Sequence, residues 1–329
     1  MHAELAANGV TVVHGTEPFD SPERVFQRRI DHDIKIEPQD WMPETYRTTL
    51  VSRISQYAHS EVMSTLTEAH WVTRAPSLKR KAILLAKMQD EAGHGLYFYS
   101  AAETLGVSRD DLVDDLLAGR AKYESVLNYP TLSWADIGMT GWLVDGAVLL
   151  MQVPMGRCSY GPFARAMVRV CKEESFHQRQ GYDLLLAMCK DGTPEQKAMC
   201  QQAFNRWWWL ALFVFGPPDS EIKGAKQLID WKLKRFSNDA LRQKMVDQTV
   251  PQAEFLGLTV PDPDLKWNAE RGQYDFGALP WDEFYAGLNG NGACGAERLQ
   301  VHRDDHEQGA WVREAMVAYA DKKNSDRVA

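Results

Sequence analysis

The apolar and polar positions of this chain read as helix after helix, with no strand-rich stretch. Pro43 opens a long helix running to about Thr73, and Pro76 opens a second that Gly106 can close. A shorter helix over 108–120 gives way to the turn-rich Asn128-Tyr129-Pro130-Thr131. Ser133 can N-cap the next helix, and another is predicted over 160–190. Thr193-Pro194 starts a further helix that stops before Gly216-Pro217-Pro218, and Ser237 caps one that ends at Gly257. From Val260 the pattern breaks. Pro261, Pro263, Trp267, Tyr274, Phe276, Pro280 and Trp281 describe an irregular segment on another surface, followed by a short helix near 310–321. Residues 1–24 read as a loose lead-in.

Composition narrows the class. With 329 residues, 44% of them hydrophobic, the chain can bury one large core. A net charge of −8 disfavours a nucleic-acid or anionic-membrane surface. No run of 18 apolar residues predicts a membrane span, and the first residues lack a signal-peptide pattern. Cys158, Cys171, Cys189, Cys200 and Cys294 are an odd, scattered set without a CxxC pair, which suits free thiols in a cytoplasmic protein.

One motif recurs inside the long helices. Glu91-Ala92-Gly93-His94 follows Glu61, and Glu174-Ser175-Phe176-His177 follows Asp145, each by about thirty residues. Residues three apart on a helix share a face one turn apart, so each Glu and His converge. Each half reads as one helix giving a carboxylate, a turn, and an antiparallel helix giving a carboxylate and an imidazole. Two such hairpins face to face supply four carboxylates and two imidazoles, the donor set of a ferritin-like di-iron or di-manganese centre.

Spacing selects among the acids. Pro76 lies 15 residues from both Glu61 and Glu91, so at about 1.5 Å rise per residue the two are level on antiparallel helices. Glu68 shares a similar face, but about 10 Å nearer the turn, too far for a metal bond of about 2 Å. Asp145 and Glu174 are centred on Ser159-Tyr160, beyond Pro154 and Gly156. Asp136 misses that level, and Glu173 points about 100° away from Glu174. Four carboxylates neutralise two divalent ions, and mixed oxygen and nitrogen donors suit iron or manganese. Lys87 lies one turn before Glu91 on the same stripe, from where its ammonium can reach the carboxylates of a metal-free site. Ala92, Gly93, Gly95, Gly141 and Gly146 flank the donors, giving room either for tight helix packing or for oxygen and substrate.

Longer strings carry a resemblance. Residues 87–95, 142–146 and 172–181 resemble the catalytic α subunits of ring-1,2-phenylacetyl-CoA epoxidases, bacterial multicomponent di-iron monooxygenases. The likeness runs from about Phe26 to the C-terminus, through 36–41 and 259–264. It implies an all-α, ferritin-like helical bundle with a di-metal carboxylate site and an irregular C-terminal extension. The chain then divides into a variable lead-in (1–24), a di-iron helical domain (25–258) and an extension (259–329) that contacts another subunit. The ligands implied are Glu61, Glu91, His94, Asp145, Glu174 and His177, the six that spacing selects. The resemblance further implies two iron ions, dioxygen added to the ring of phenylacetyl-CoA as the 1,2-epoxide, and NADPH electrons arriving through a separate reductase. Its partners would be a small bridging subunit together with a ferritin-like structural subunit. Coenzyme A contacts are implied at Arg53, Gln56, Lys122, Tyr123, Glu124 and Ser125; Ser52 stands where the family has arginine.

Two rival readings stay open at this point. A non-catalytic ferritin-like scaffold is disfavoured by the full donor set. A radical-generating di-iron oxidase needs a tyrosine near the metals, for which Tyr97, Tyr99 and Tyr182 are available. Trp207-Trp208-Trp209 spread at about 100° steps, so they read as partner contact or as core. The run His302-Arg303-Asp304-Asp305-His306 reads as a solvated charged segment, and His59 and His70 as structural.

Overall fold

Serine and threonine side chains cap six of the helices among the described residues, three of them at the predicted Ser133, Thr193 and Ser237. In the computed structural model, which describes residues 21–328, the Ser21 hydroxyl accepts from the Arg24 amide to begin α1 (Pro22–Asp31). Residues 1–20 of the expected lead-in lie outside the described residues. α2 (Glu44–Val72) follows Pro43. Ser77 rather than Pro76 caps α3 (Leu78–Glu103), and Gly106 turns the chain beyond it at φ +90°. Ser108 caps α4 (Arg109–Leu117). Ser133 and Asp136 form a reciprocal capping box at α5 (Trp134–Met139), which continues through a π turn (Thr140–Val144) into α6 (Asp145–Gln152). α7 (Gly161–Asp191) runs back along it. A second capping box, Thr193 with Gln196, starts α8 (Pro194–Phe213). The short α9 (Ala225–Asp230) precedes α10 (Asn238–Leu256), which Ser237 caps and Gly257 ends in a left-handed conformation.

Four helical rods form the bundle. α2 packs along α3 and α5–α6 along α7, while α3 also meets α7 across the middle. α8 closes over α5 and the π turn, and α10 lies on α6. The stretch Trp134–Arg157 is long and apolar enough to cross a membrane by composition, although Asp136, Asp145 and Gln152 interrupt it. Two thirds of its most apolar window (67%) is buried inside the bundle, which accounts for its apolarity.

The tryptophan triplet belongs to this packing. Trp207 and Trp208 are 2% and 1% exposed and Trp209 packs partly buried against the same cluster, so core packing replaces the partner-contact reading. Their three directions are all served because α8 is covered on more than one side. The Trp207 indole donates to Asp136 Oδ1 at 2.7 Å, and Arg206 grips the same carboxylate at 2.8 Å.

Beyond Gly257 the chain begins irregularly, as the broken pattern predicts, but holds more structure than that pattern shows. An antiparallel hairpin, β1 (Lys266–Asn268) and β2 (Gln273–Asp275), sets Trp267 against Tyr274. α11 (Trp281–Leu288), α12 (Gly295–Gln308) and α13 (Ala310–Val328) follow. Polar α12 is held by long-range bonds that periodicity cannot reveal. Arg298 donates to the Leu127 carbonyl and Arg303 to that of Leu117. The charged run 302–306 is therefore partly anchored on α4 and not simply solvated.

Close backbone approach positions Asp145. A Cβ on Gly181 would lie 2.5 Å from the Trp142 nitrogen and 2.7 Å from the Gly138 oxygen, so α7 touches the π turn through backbone alone. The Cβ contacts at Gly95 would be ordinary ones of 3.5–3.7 Å. Gly181→Ala should therefore cost about 1–3 kcal/mol by overpacking, while Gly95→Ala is tolerated. Urea denaturation of the two variants checks this, and equal midpoints would contradict the crossing argument.

Candidate metal centre

The fold brings together all six side chains selected by spacing. Glu61 comes from α2, Glu91 and His94 from α3, Asp145 from the first turn of α6, and Glu174 and His177 from α7; all are buried. They form two overlapping groups, Glu61–Glu91–His94–Glu174 and Asp145–Glu174–His177, with donor atoms in each lying within 4.8 Å of one another. His94 Nδ1 is 3.3 Å from Glu174 and 3.6 Å from Glu61. His177 Nδ1 is 3.5 Å from both Glu91 and Glu174.

Two residues that sequence reading passed over orient the imidazoles. Glu173 Oε2 lies 2.9 Å from His94 Nε2, and Asp90 Oδ2 lies 3.1 Å from His177 Nε2. A carboxylate at Nε2 favours the proton there and turns the Nδ1 lone pair inward. Both Nδ1 atoms are buried with no hydrogen-bond partner among the described residues, as a ligating nitrogen would be. The bonds cross between hairpins, Asp90 of α3 to α7 and Glu173 of α7 to α3. The signal was present as a longer repeat, acid-Glu-x-x-His, in Asp90-Glu91 and Glu173-Glu174. Glu173 does point away from Glu174, but toward the neighbouring helix.

Lys87 enters the cluster from the other side. Its ammonium lies 2.6 Å from Asp145, 2.9 Å from Glu68 and 3.9 Å from Glu91. Burial alone would depress its pKa, but these three carboxylates hold it well above the ordinary value. Glu68, absent from the donor groups as its height predicts, is no bystander: it is 2% exposed and anchors Lys87.

The remaining charges respond to burial and to one another. Burial raises Glu91 well above the carboxylate range, with Glu174 and Glu61 adding to the shift. Burial also pushes Asp145 up to about 8, opposed by Lys87 and reinforced by Glu174 and Glu91. Glu174 moves the opposite way, to about 2, because the His177 and His94 imidazoles beside its carboxylate overcome its burial. Burial disfavours the charged imidazoles, yet Glu174 and its neighbours lift His94 to about 12 and His177 to about 9. These protons are what an entering cation would displace.

Two cavities that share Tyr57, Glu124 and Met151 in their walls lie beside the cluster. The inner one is bounded by the carboxylates, Lys87 and apolar Val126, Leu127, Val144 and Val148. The outer one, about 1200 Å³ with its mouth, is lined by Arg53, Gln56, Lys122 and Glu124, four of the implied coenzyme contacts. Tyr123 turns away to donate to Asn128 at 2.6 Å, and Ser125 is buried beneath Gly287. Lys234 and Arg235, which sequence reading did not select, also line the outer cavity, although the basic run Lys232-Leu233-Lys234-Arg235 was visible. Tyr97 lies under the Arg169 guanidinium, Tyr99 bonds His59 at 2.8 Å and Tyr182 packs edge-on to Trp142; none of the three lines the inner cavity.

Known proteins share this sequence over most of its length. Residues 15–311 match the family described as phenylacetic acid catabolic protein. The chain belongs to the phenylacetic acid catabolic protein family. Within that family it is similar to a component of the 1,2-phenylacetyl-CoA epoxidase of Escherichia coli (strain K12). Identity is 57% over 307 residues, covering 93% of this chain and 99% of that protein. The all-α, ferritin-like architecture inferred from the two hairpins is thus the architecture of the family member described here.

Glu91→Ala and His177→Ala should abolish stable metal binding. Asp90→Asn and Glu173→Gln should keep the fold and weaken metal affinity about 10–100-fold, as lost imidazole orientation does. Chelator competition measures both classes, and unchanged affinity in the second would remove the orienting role. Lys87→Met should destabilise the metal-free protein by about 3–5 kcal/mol, because buried carboxylates lose their cation. Thermal melts with and without chelator test this, and the loss should shrink once metal is loaded.

Proposed function

We propose that this chain is the catalytic subunit of a phenylacetyl-CoA 1,2-epoxidase. The observation that carries the reading is the 57% identity to a component of such an epoxidase, which extends over nearly the whole of both chains. The buried donor cluster and the basic outer cavity support it. Glu61, Glu91, His94, Asp145, Glu174 and His177 would hold two iron ions, since buried carboxylates and imidazoles are the donor set such ions take. When bound, the di-iron pair supplies dioxygen activation. The balance is one phenylacetyl-CoA, one dioxygen and one NADPH with a proton, giving the 1,2-epoxide, water and NADP⁺. Electrons come through a separate reductase.

The chain's own residues supply the rest. Arg53, Lys122, Lys234 and Arg235 give an acidic protein a cationic basin for the coenzyme phosphates. The apolar inner walls seat the ring and exclude water. Asp90 and Glu173 fix the imidazoles. Binding energy gathered at the coenzyme end positions the ring, so the free acid should react poorly. The protein would work in the cytoplasm beside the reductase and two further subunits, one structural and one bridging. Residues 259–329 would meet a partner, a role that suits the exposed Trp311, Met316 and Tyr319 of α13.

The test supplies labelled dioxygen, NADPH, reductase and partner subunits with either phenylacetyl-CoA or phenylacetate. The expected result is label in the epoxide and rates at least tenfold higher with the thioester. Label arriving from water, or equal rates on the free acid, would overturn the reading.

A further inference from the structure

The two cavities share part of their walls, which marks a passage between them. Tyr57, Glu124 and Met151 line both cavities. Along α2 the order is Arg53 and Gln56 in the outer cavity, Tyr57 at the passage, then Ser60 and Glu61 in the inner one. The α6 side runs in the opposite sense: Asp145, Val148 and Gln152 line the inner cavity, Met151 lines both, and Pro154 and Met155 lie outside, so Gln152 sits in the inner wall next to the shared Met151. Both helices agree on where the neck lies.

Two side chains at this neck lack partners. Gln152 is 0% exposed, and neither its oxygen nor its nitrogen has a hydrogen-bond partner among the described residues. The buried Tyr57 hydroxyl has none either. Leaving such a group unpaired is costly, and buried polar side chains seldom go without partners. An amide and a phenol left open on the two helices flanking one passage specify a ligand group that accepts two hydrogen bonds.

We propose that Tyr57 and Gln152 clamp the thioester carbonyl oxygen of the substrate at the neck, an inference that rests on the acyl-CoA reading above. The Tyr57 hydroxyl and the Gln152 amide nitrogen donate to the two lone pairs of that oxygen. Gln152 Oε1 then faces the thiol arm, whose amide N–H lies three bonds from the sulfur. Gln152 is seven residues after Asp145, about 10.5 Å along α6 on nearly the same face, and helix side chains lean back toward the N-terminus. A carbonyl held there leaves a gap suited to an arylacetyl group between the clamp and the carboxylates. Tyr57 and Gln152 are thus substrate-positioning residues that set how deep the ring enters.

The experiment compares binding of phenylacetyl-CoA with its S-(2-phenylethyl) thioether, which lacks only the carbonyl oxygen, to the full-length chain assembled with its partner subunits. The parent protein should bind the thioether at least tenfold more weakly. Tyr57→Phe and Gln152→Leu should weaken phenylacetyl-CoA toward the thioether value and leave the thioether unchanged. Because Gln152→Leu replaces an unpaired buried amide by an apolar group, its melting temperature should not fall, which a structural role for Gln152 would require. Equal binding of both ligands by the parent protein, or an unchanged ratio in both variants, would overturn the clamp while leaving the acyl-CoA reading standing. A parent protein that binds neither ligand would overturn both.

Discussion

Four carboxylates and two imidazoles buried in one bundle core form the constraint on which the rest of this structure depends. Isolated, such charges in a low-dielectric interior would be too costly to keep. They are tolerated because every one has a compensating neighbour. Lys87 answers Asp145 and Glu68, the imidazoles answer Glu174, and Asp90 and Glu173 hold the outer imidazole nitrogens. The arrangement is cross-braced, since each histidine is oriented from the opposite hairpin. Neither hairpin could assemble its half of the site alone, so docking of the two halves and completion of the site are one event.

Holding donors at that precision requires stiff backbone. The π turn just before Asp145 shifts the helical register at the point where α7 approaches most closely. Gly181 against Trp142 lets the two helices meet without intervening side chains, while Trp142, Phe204 and Trp208 stack behind the turn. α8 thus serves the site without contributing a donor: its tryptophans wedge the π turn from outside and its Arg206 locks Asp136. The glycines split in function accordingly. Gly141 and Gly181 are needed for packing, whereas Gly93 meets nothing within 4 Å.

Much of this was legible in the sequence because its causes are local. Ser133, Thr193 and Ser237 marked helix starts, Pro76 marked another within a residue or two, and three-residue spacing on a helix made Glu91–His94 and Glu174–His177 visible as pairs. Level-matching across a turn then reached Glu61 and Asp145, since antiparallel helices share one rise per residue. What escaped were features whose cause lies across the fold. Asp90 and Glu173 act on the helix opposite, so a single-helix projection reads them as facing away. Glu68 was judged only as a ligand, and its actual partner is a lysine on α3. Helix α12 is secured by arginines reaching backbone carbonyls far away in sequence, which periodicity does not encode.

The same distinction explains why the substrate path was harder to read than the donor cluster. Donors must converge within a few ångströms of one another, which forces helical spacing that a sequence displays. A passage needs only residues that happen to border the same space, here Tyr57 from α2 and Gln152 from α6, with Glu124 from the segment between α4 and α5. Tyr57 and Gln152 share a negative property: the hydrogen bonds of the hydroxyl and the amide are not completed among the described residues. Unpaired buried polar atoms occur at several places among the described residues, and those of Tyr57 and Gln152 border a cavity, where a ligand would complete them. On the acyl-CoA reading, cationic basin, neck and acidic cluster would form one graded path, from the charged end of a thioester to the ring it carries.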